Sequence, residues 1–162
     1  MPFNGVVLFE DEPDRECWHE AGHAIVAHHL GMTVIAIGYS WVRGEHEEPN
    51  PSSWIPTDGI DKDAVGTEMF AGVAAEILKL GAYDMMACNV DVRAFQQLGC
   101  TQSHDYYINK AMDVLKQRDA ALVRVYEKLM SERTSPTHEP FIDDDGLKKQ
   151  RHLSQEQFEA LM

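Results

Sequence analysis

The feature that most constrains this chain is the motif HEAGH at positions 19–23, which lies in a stretch predicted to be helical. On an α-helix, side chains four residues apart lie on the same face, with their Cβ atoms about 5–6 Å apart. His19 and His23 can therefore both reach one metal ion through ring nitrogens. The apolar run that follows the motif predicts that this helix is buried and holds the imidazoles in a dry setting.

The helix that carries the motif is predicted to run from the acidic segment 11–14 to Leu30. Acidic side chains and Pro13 suit the first turn of a helix, and Gly31 suits the position just after its last turn. Gly22, inside the helix, lowers helix stability by about 1 kcal/mol relative to Ala. We therefore expect another backbone, or a substrate, to approach the helix closely at Gly22.

Glu20 is the candidate general base. It is turned by about 100° from His19 and so flanks the two imidazoles without joining them. Zinc lowers the pKa of a bound water toward ~7 and polarises a carbonyl, and a neighbouring carboxylate can pass the water's proton to a leaving amine. The motif therefore predicts Zn²⁺ as the cofactor and hydrolysis as the reaction.

A catalytic zinc ion usually takes three protein ligands, and the residues alone leave the third one open. His29 has the spacing of an extended zinc motif, but a helix that continues past Val26 turns it about 80° away. Glu76 could bind the ion, accept a hydrogen bond from an imidazole N–H, or lie on the surface. Asp91 and Asp105 each open a predicted helix, where an acid could bind the ion or simply cap the helix.

The remaining pattern predicts a single domain over residues 1–162, mainly α-helical with a small β-sheet. Apolar and β-branched runs predict strands at 6–9, 33–42 and 54–55. Helical spacing predicts further helices at 61–80, 91–98 and 103–130, and a capping box at Ser154 predicts a short last helix. Polar residues, two prolines and an acidic run predict a mobile loop over 131–152.

The formal net charge of −13 argues against nucleic acid and anionic membranes as partners, because both bind clustered Lys and Arg. No stretch approaches the roughly 20 apolar residues of a membrane span, and no basic-then-apolar leader opens the sequence. Three cysteines without CxxC spacing predict neither a disulfide framework nor a zinc ribbon. We therefore expect a cytoplasmic protein. No sequence feature sets its oligomeric state.

Four segments together resemble the peptidase domain of FtsH-type AAA+ zinc metalloproteases. Residues 17–27 (CWHEAGHAIVA) resemble the HEAGHA helix of that family, and residues 69–78 (MFAGVAAEIL) are similar to its GGRAAE helix. Residues 87–94 (ACNVDVRA) are similar to the segment that carries its third zinc ligand, and residues 153–158 to its short terminal helix. The resemblance implies a helical zincin of the FtsH peptidase-domain type.

By this resemblance, His19, His23 and Asp91 are expected to bind Zn²⁺, with Glu20 as the base and Glu76 as a supporting residue. The sequence contains no GxxxxGK[ST] loop and no membrane anchor. It therefore predicts an ATP-independent peptidase that acts on peptides or unfolded proteins. The alternatives are a zinc-stabilised regulatory or protein-interaction module with weak catalysis, and a zinc hydrolase of non-peptide amides.

Overall fold

A computed structural model describes residues 12–43, 46–48, 52–137, 140–142 and 148–162. Helices predominate in these residues, and the strands form a small antiparallel sheet, which confirms the predicted mainly α-helical architecture with a small β-sheet. The strand predicted at 6–9 lies outside the described residues. Among the described helices, none combines the length and apolar character that crossing a membrane requires.

The described helices are α1 (Glu12–His29), α2 (Lys62–Met69), α3 (Ala71–Leu80), α4 (Met85–Leu98), α5 (His104–Gln117), α6 (Asp119–Thr134) and α7 (Gln155–Glu159). The described strands are β1 (Ala36–Arg43), β2 (His46–Glu48), β3 (Ser52–Trp54), β4 (Phe141–Ile142) and β5 (Lys148–Ser154). The predicted capping box is confirmed, because the Ser154 side chain and the Gln157 side chain each bind the other's backbone N–H at the start of α7.

Helix α1 lies at the centre of the molecule and ends at His29, one residue before the predicted end at Leu30. Every residue from Ala21 to Ala27 is buried. Gly31 adopts a φ of +82°, a left-handed conformation that glycine accommodates without strain, and the Met32 N–H donates to the Ala27 carbonyl at 2.9 Å. The apolar flanks of the motif therefore bury the helix on several sides, as the sequence predicted.

Helices α1 and α3 pack unusually closely, and Gly22 is the reason that they can. A Cβ atom on Gly22 would lie 2.5 Å from the Ala71 carbonyl oxygen and 2.6 Å from the Ala75 Cβ. Of the two reasons expected for this glycine, the approach of another backbone is therefore the one found. This close packing offsets the helix stability that is lost because glycine has a low helix propensity.

Two predicted helices are each divided in the structure. The helix predicted at 61–80 breaks at Phe70, whose backbone leaves helical geometry (φ −93°, ψ 3°) while its ring packs edge-on against Phe95. The helix predicted at 103–130 breaks at Arg118 (φ −110°, ψ 26°). Each prediction of one continuous helix was wrong. The apolar residues keep their helical spacing through each break, so the sequence pattern does not reveal it. Tertiary packing of an aromatic ring or of a returning helix decides the break.

The helix predicted at 91–98 is wrong at its start, because α4 begins at Met85. Asp91 therefore lies inside α4 and has no capping role there. The prediction that Asp105 lies at a helix start is confirmed, since it occupies the first turn of α5. The N-cap of α5 is Ser103, whose hydroxyl accepts a hydrogen bond from the Tyr106 N–H.

The central strand of the sheet is β1, which pairs with β2 and β3 along one edge and with β5 along the other. The strand predicted at 33–42 begins three residues later than expected, and the one predicted at 54–55 overlaps β3 only at Trp54, because β3 begins at Ser52 and ends before Ile55. The predicted loop at 131–152 is wrong at both ends, because α6 extends to Thr134 and β5 begins at Lys148. Pairing with β1 stabilises β5, and a polar sequence does not reveal a partner that is distant along the chain.

Candidate metal centre

Helices α1 and α4 bring the three predicted metal ligands together. The Nε2 atoms of His19 and His23 lie 3.0 Å apart. Asp91 Oδ2 lies 3.2 Å from His19 Nε2 and 3.3 Å from His23 Nε2. All three side chains are buried or half-buried. Two ligands come from one helical turn, and the third comes from a helix far along the chain.

The triangle formed by these three atoms fits a zinc ion. Zinc–ligand bonds of ~2.0–2.1 Å in a tetrahedral site require ligand atoms about 3.3–3.4 Å apart. The observed separations of 3.0 to 3.3 Å fall just short of that value. Two imidazoles and one carboxylate are also a donor set that zinc commonly takes in catalytic sites.

The Nδ1 atom of each imidazole lies within hydrogen-bonding distance of an acceptor. His19 Nδ1 lies 2.7 Å from Glu76 Oε2. His23 Nδ1 lies 2.9 Å from the Glu68 carbonyl oxygen and 3.0 Å from Glu68 Oε1. Because these partners only accept hydrogen bonds, each Nδ1 carries a proton, so that in the neutral form of each ring the lone pair is on Nε2 and faces the other ring and Asp91. The centre thus gathers three electron-rich atoms that a cation would hold together.

The pKa values of the metal-free centre also indicate that these three side chains favour a positive charge between them. Burial lowers the pKa of His19 and His23, but their hydrogen bonds and the charge of Asp91 outweigh burial and hold both pKa values well above the ordinary one. Burial raises the pKa of Asp91, yet the two imidazoles hold it well below its ordinary value. Without a metal, protons supply the missing positive charge. A metal must displace these protons, so metal affinity should fall as pH falls.

Glu76 supports His19 from the side opposite the ligand triangle. Its carboxylate is fully buried and accepts hydrogen bonds from Arg15 Nη1 at 3.3 Å, the Asp84 N–H at 3.2 Å and the Cys88 thiol at 3.6 Å. Of the roles left open for Glu76, acceptance of an imidazole N–H is the one found. His19, Glu76 and Cys88 also group metal-binding atom types. The Arg15 guanidinium opposes a second cation there.

The other two candidate ligands lie apart from the imidazoles. His29 is exposed on the last turn of α1. Asp105 is in neither of the groups of metal-binding side chains found among the described residues. A helix that continues past Val26 explains the position of His29, as the sequence predicted.

Two residues of the centre were missed by sequence reasoning, Glu68 and Ser53. Glu68 had a weak signal, since it is an acid beside the apolar pair Met69-Phe70, and it proves buried. Ser53 had none. Its hydroxyl donates a hydrogen bond of 2.6 Å to Glu20 Oε2. That contact depends on how β3 lies against α1, which the local sequence does not specify.

The three candidate ligands, His19, His23 and Asp91, line a cleft of about 570 Å³. This volume is in the usual range of ligand-binding pockets, about 300–1,000 Å³. Polar and apolar side chains both line the cleft, and β3 contributes Ser52 and Ser53 to its wall. The polar lining includes His19, Glu20, His23, Glu68 and Asp91, and the apolar lining includes Ile55, Met69, Val90 and Ala94.

Neither a scan against models of protein families nor a search of curated proteins found a match for this chain. The resemblance to FtsH-type peptidases therefore rests on the sequence motifs alone.

Gly72→Ala is expected to weaken zinc binding by about 10- to 100-fold, as the loss of a side chain that orients a ligand does. A Cβ atom on Gly72 would lie 2.4 Å from His19 Cε1 and Nε2, so the ring must leave its place in the triangle. Competition with a zinc-binding dye measures the change, and circular dichroism of the zinc-free variant verifies folding. Wild-type affinity in a folded variant would contradict the ligand role of His19.

Proposed function

We propose that this chain is a zinc-dependent, ATP-independent peptidase of the FtsH peptidase-domain type. One observation carries the proposal. The Nε2 atoms of His19 and His23 converge with Asp91 Oδ2 within 3.3 Å, while both Nδ1 atoms are held by acceptors. Such a centre, open to a cleft, is the form of a catalytic zinc site rather than a closed structural one.

When bound by His19, His23 and Asp91, zinc would lower the pKa of water and polarise the carbonyl to be attacked. Glu20 lines the same cleft beside the ligands. Its carboxylate takes a proton from the attacking water and transfers it to the amine as the C–N bond breaks, so that a peptide and water give an acid and an amine. Glu76 and Glu68 hold the two imidazoles in the tautomer that presents Nε2 to the ion.

The sheet supports a peptide as the substrate. Strand β3 forms part of the cleft wall and pairs with β1 along one edge only. Within the described residues, no strand pairs with its outer edge. An extended peptide can hydrogen-bond to such an edge, whereas a small amide gains nothing from it. Peptides and unfolded proteins are therefore the substrate class that we propose.

The cellular location that we propose is the cytoplasm. The three cysteines are free, and two of them, Cys17 and Cys88, are buried. Burial raises the pKa of the Cys17 thiol to about 12, so this cysteine stays protonated and unreactive. Free buried thiols are typical of reducing compartments.

Removal and return of the metal test the proposal on the wild-type protein. Protein purified without chelator is expected to hold one zinc ion per chain and to cleave a reduced, carboxymethylated protein without ATP. Dipicolinate treatment should abolish cleavage, and stoichiometric zinc should restore it. Cleavage by the metal-free protein would contradict the mechanism. One bound zinc ion without cleavage would favour the interaction module instead.

A further inference from the structure

We propose that Ser53 positions the carboxylate of Glu20 for proton transfer. The inference rests on the function proposed above, and it assigns a role to a residue outside the HEAGH motif. Ser53 Oγ donates a hydrogen bond of 2.6 Å to Glu20 Oε2, and both side chains line the cleft. A hydrogen bond to a carboxylate is shorter and stronger than one between neutral groups, and this length is typical of it.

Glu20 is buried, and the hydrogen bond from Ser53 fixes the orientation of its carboxylate within that buried position. Within the described chain, no other side chain donates a hydrogen bond to this carboxylate. Fixing a glutamate side chain costs rotamer entropy, which a strong hydrogen bond offsets. The donor occupies one carboxylate oxygen and leaves the lone pairs of the other available to accept a proton. Ser53 thus determines which oxygen of Glu20 serves as the base.

The strand that carries Ser53 is held by contacts across the sheet. Ser53 pairs with Ile37 of the central strand β1. From the other side of β1, the fully buried Gln150 side chain lies over Gly38 and donates to Ser52 Oγ at 3.4 Å. A Cβ atom on Gly38 would lie 2.1 Å from Gln150 Nε2, so the glycine makes this crossing possible. Strand β3 is therefore anchored across the sheet, and the Ser53 hydroxyl is anchored with it.

The placement of Ser53 on the cleft wall links the base to the substrate. A peptide that lies along the outer edge of β3 would contact the strand whose side chain holds Glu20. Strand β3 would then position both the scissile bond of the peptide and the carboxylate of Glu20. Positioning of this kind acts on the chemical step rather than on binding, and so it should change kcat more than KM.

The test compares Ser53→Ala with Ser53→Thr, which retains the hydroxyl. We expect Ser53→Ala to lower kcat about tenfold and to change KM by less than about twofold, with one zinc ion still bound. Ser53→Thr should recover most of the loss. Wild-type kcat in Ser53→Ala, or a Ser53→Thr variant as slow as Ser53→Ala, would overturn the proposal. An effect on KM alone would also overturn it, because Ser53 would then be a substrate contact.

Ser52→Ala is the matched comparison, since it removes a hydroxyl from the same strand that faces Gln150 instead of Glu20. We expect its kcat to fall less than that of Ser53→Ala. Equal losses in the two variants would overturn the assignment, because the cause would then be loosening of β3 rather than loss of the bond to Glu20.

A binding measurement separates this inference from the proposed function. Acetohydroxamate, a small zinc chelator with an acidic hydroxyl, binds more tightly where a carboxylate beside the ion accepts its proton. Calorimetric titration of the zinc-loaded protein should show weaker binding in Ser53→Ala by about tenfold, with recovery in Ser53→Thr. If the wild type binds acetohydroxamate but cleaves no peptide, the proposed function fails while this result still decides the role of Ser53. Unchanged affinity in Ser53→Ala, or no binding to the wild type, would overturn the inference.

Discussion

Glu20→Gln is expected to reduce peptide hydrolysis by about 10²- to 10⁴-fold, the usual contribution of a general base, while one zinc ion stays bound. The amide has nearly the shape of the carboxylate, and its oxygen can still accept the hydrogen bond from Ser53. It cannot accept a proton from water at neutral pH. Initial rates on a quenched fluorescent peptide, measured beside the zinc content, provide the test.

Glu127→Gln is the matched control for this experiment. It makes the same chemical change on an exposed face of α6, away from the cleft. We expect wild-type rates and wild-type zinc content. Turnover by Glu20→Gln at the rate of this control would exclude Glu20 as the base. Loss of zinc from Glu20→Gln would mean that the carboxylate serves the metal instead.

Asp91→Ala is expected to weaken zinc binding by more than about 100-fold, beyond the 10- to 100-fold that loss of an orienting residue costs. The variant removes one of three ligands and leaves two imidazoles that alone bind zinc poorly. Glu76→Gln should weaken zinc binding by only about 10- to 100-fold, since Glu76 contacts Nδ1 of His19 and not Nε2. Dye competition at fixed pH ranks the two variants, and circular dichroism of the zinc-free proteins controls for folding.

Asp105→Ala provides the comparison for Asp91→Ala. Its carboxylate lies in the first turn of α5, and we expect wild-type zinc affinity. If Asp91→Ala kept its zinc, the third ligand would have to be sought elsewhere in the cleft, with Glu68 the nearest acid to His23. The proposed donor set would then be wrong.

The parts of the centre that the sequence predicted are those governed by local geometry. His19 and His23 share a face because a helix repeats every 3.6 residues, and Glu20 flanks them for the same reason. The spacing needed no knowledge of the rest of the fold. The choice of Asp91 as third ligand depended on the resemblance, since the sequence around a single acid on a later helix does not show which residues it contacts.

The parts that the sequence did not predict are governed by contacts between distant segments. Glu68 and Ser53 are placed by the packing of α2 and β3 against α1. The predicted helix divides at Phe70, whose ring packs edge-on against Phe95 of another helix. Strand β5 is polar in sequence and owes its conformation to β1. In each case the deciding partner lies far along the chain.

The place of β5 in the chain has a consequence for the order in which the molecule matures. Each of the proposed metal ligands precedes β5, and so does Ser53 on β3, yet Gln150 of β5 contacts that strand from across the sheet. During synthesis on the ribosome, these residues therefore emerge before the strand that supports the wall beside Glu20. Under the proposed function, we expect a nascent chain to be a poor catalyst until β5 has docked.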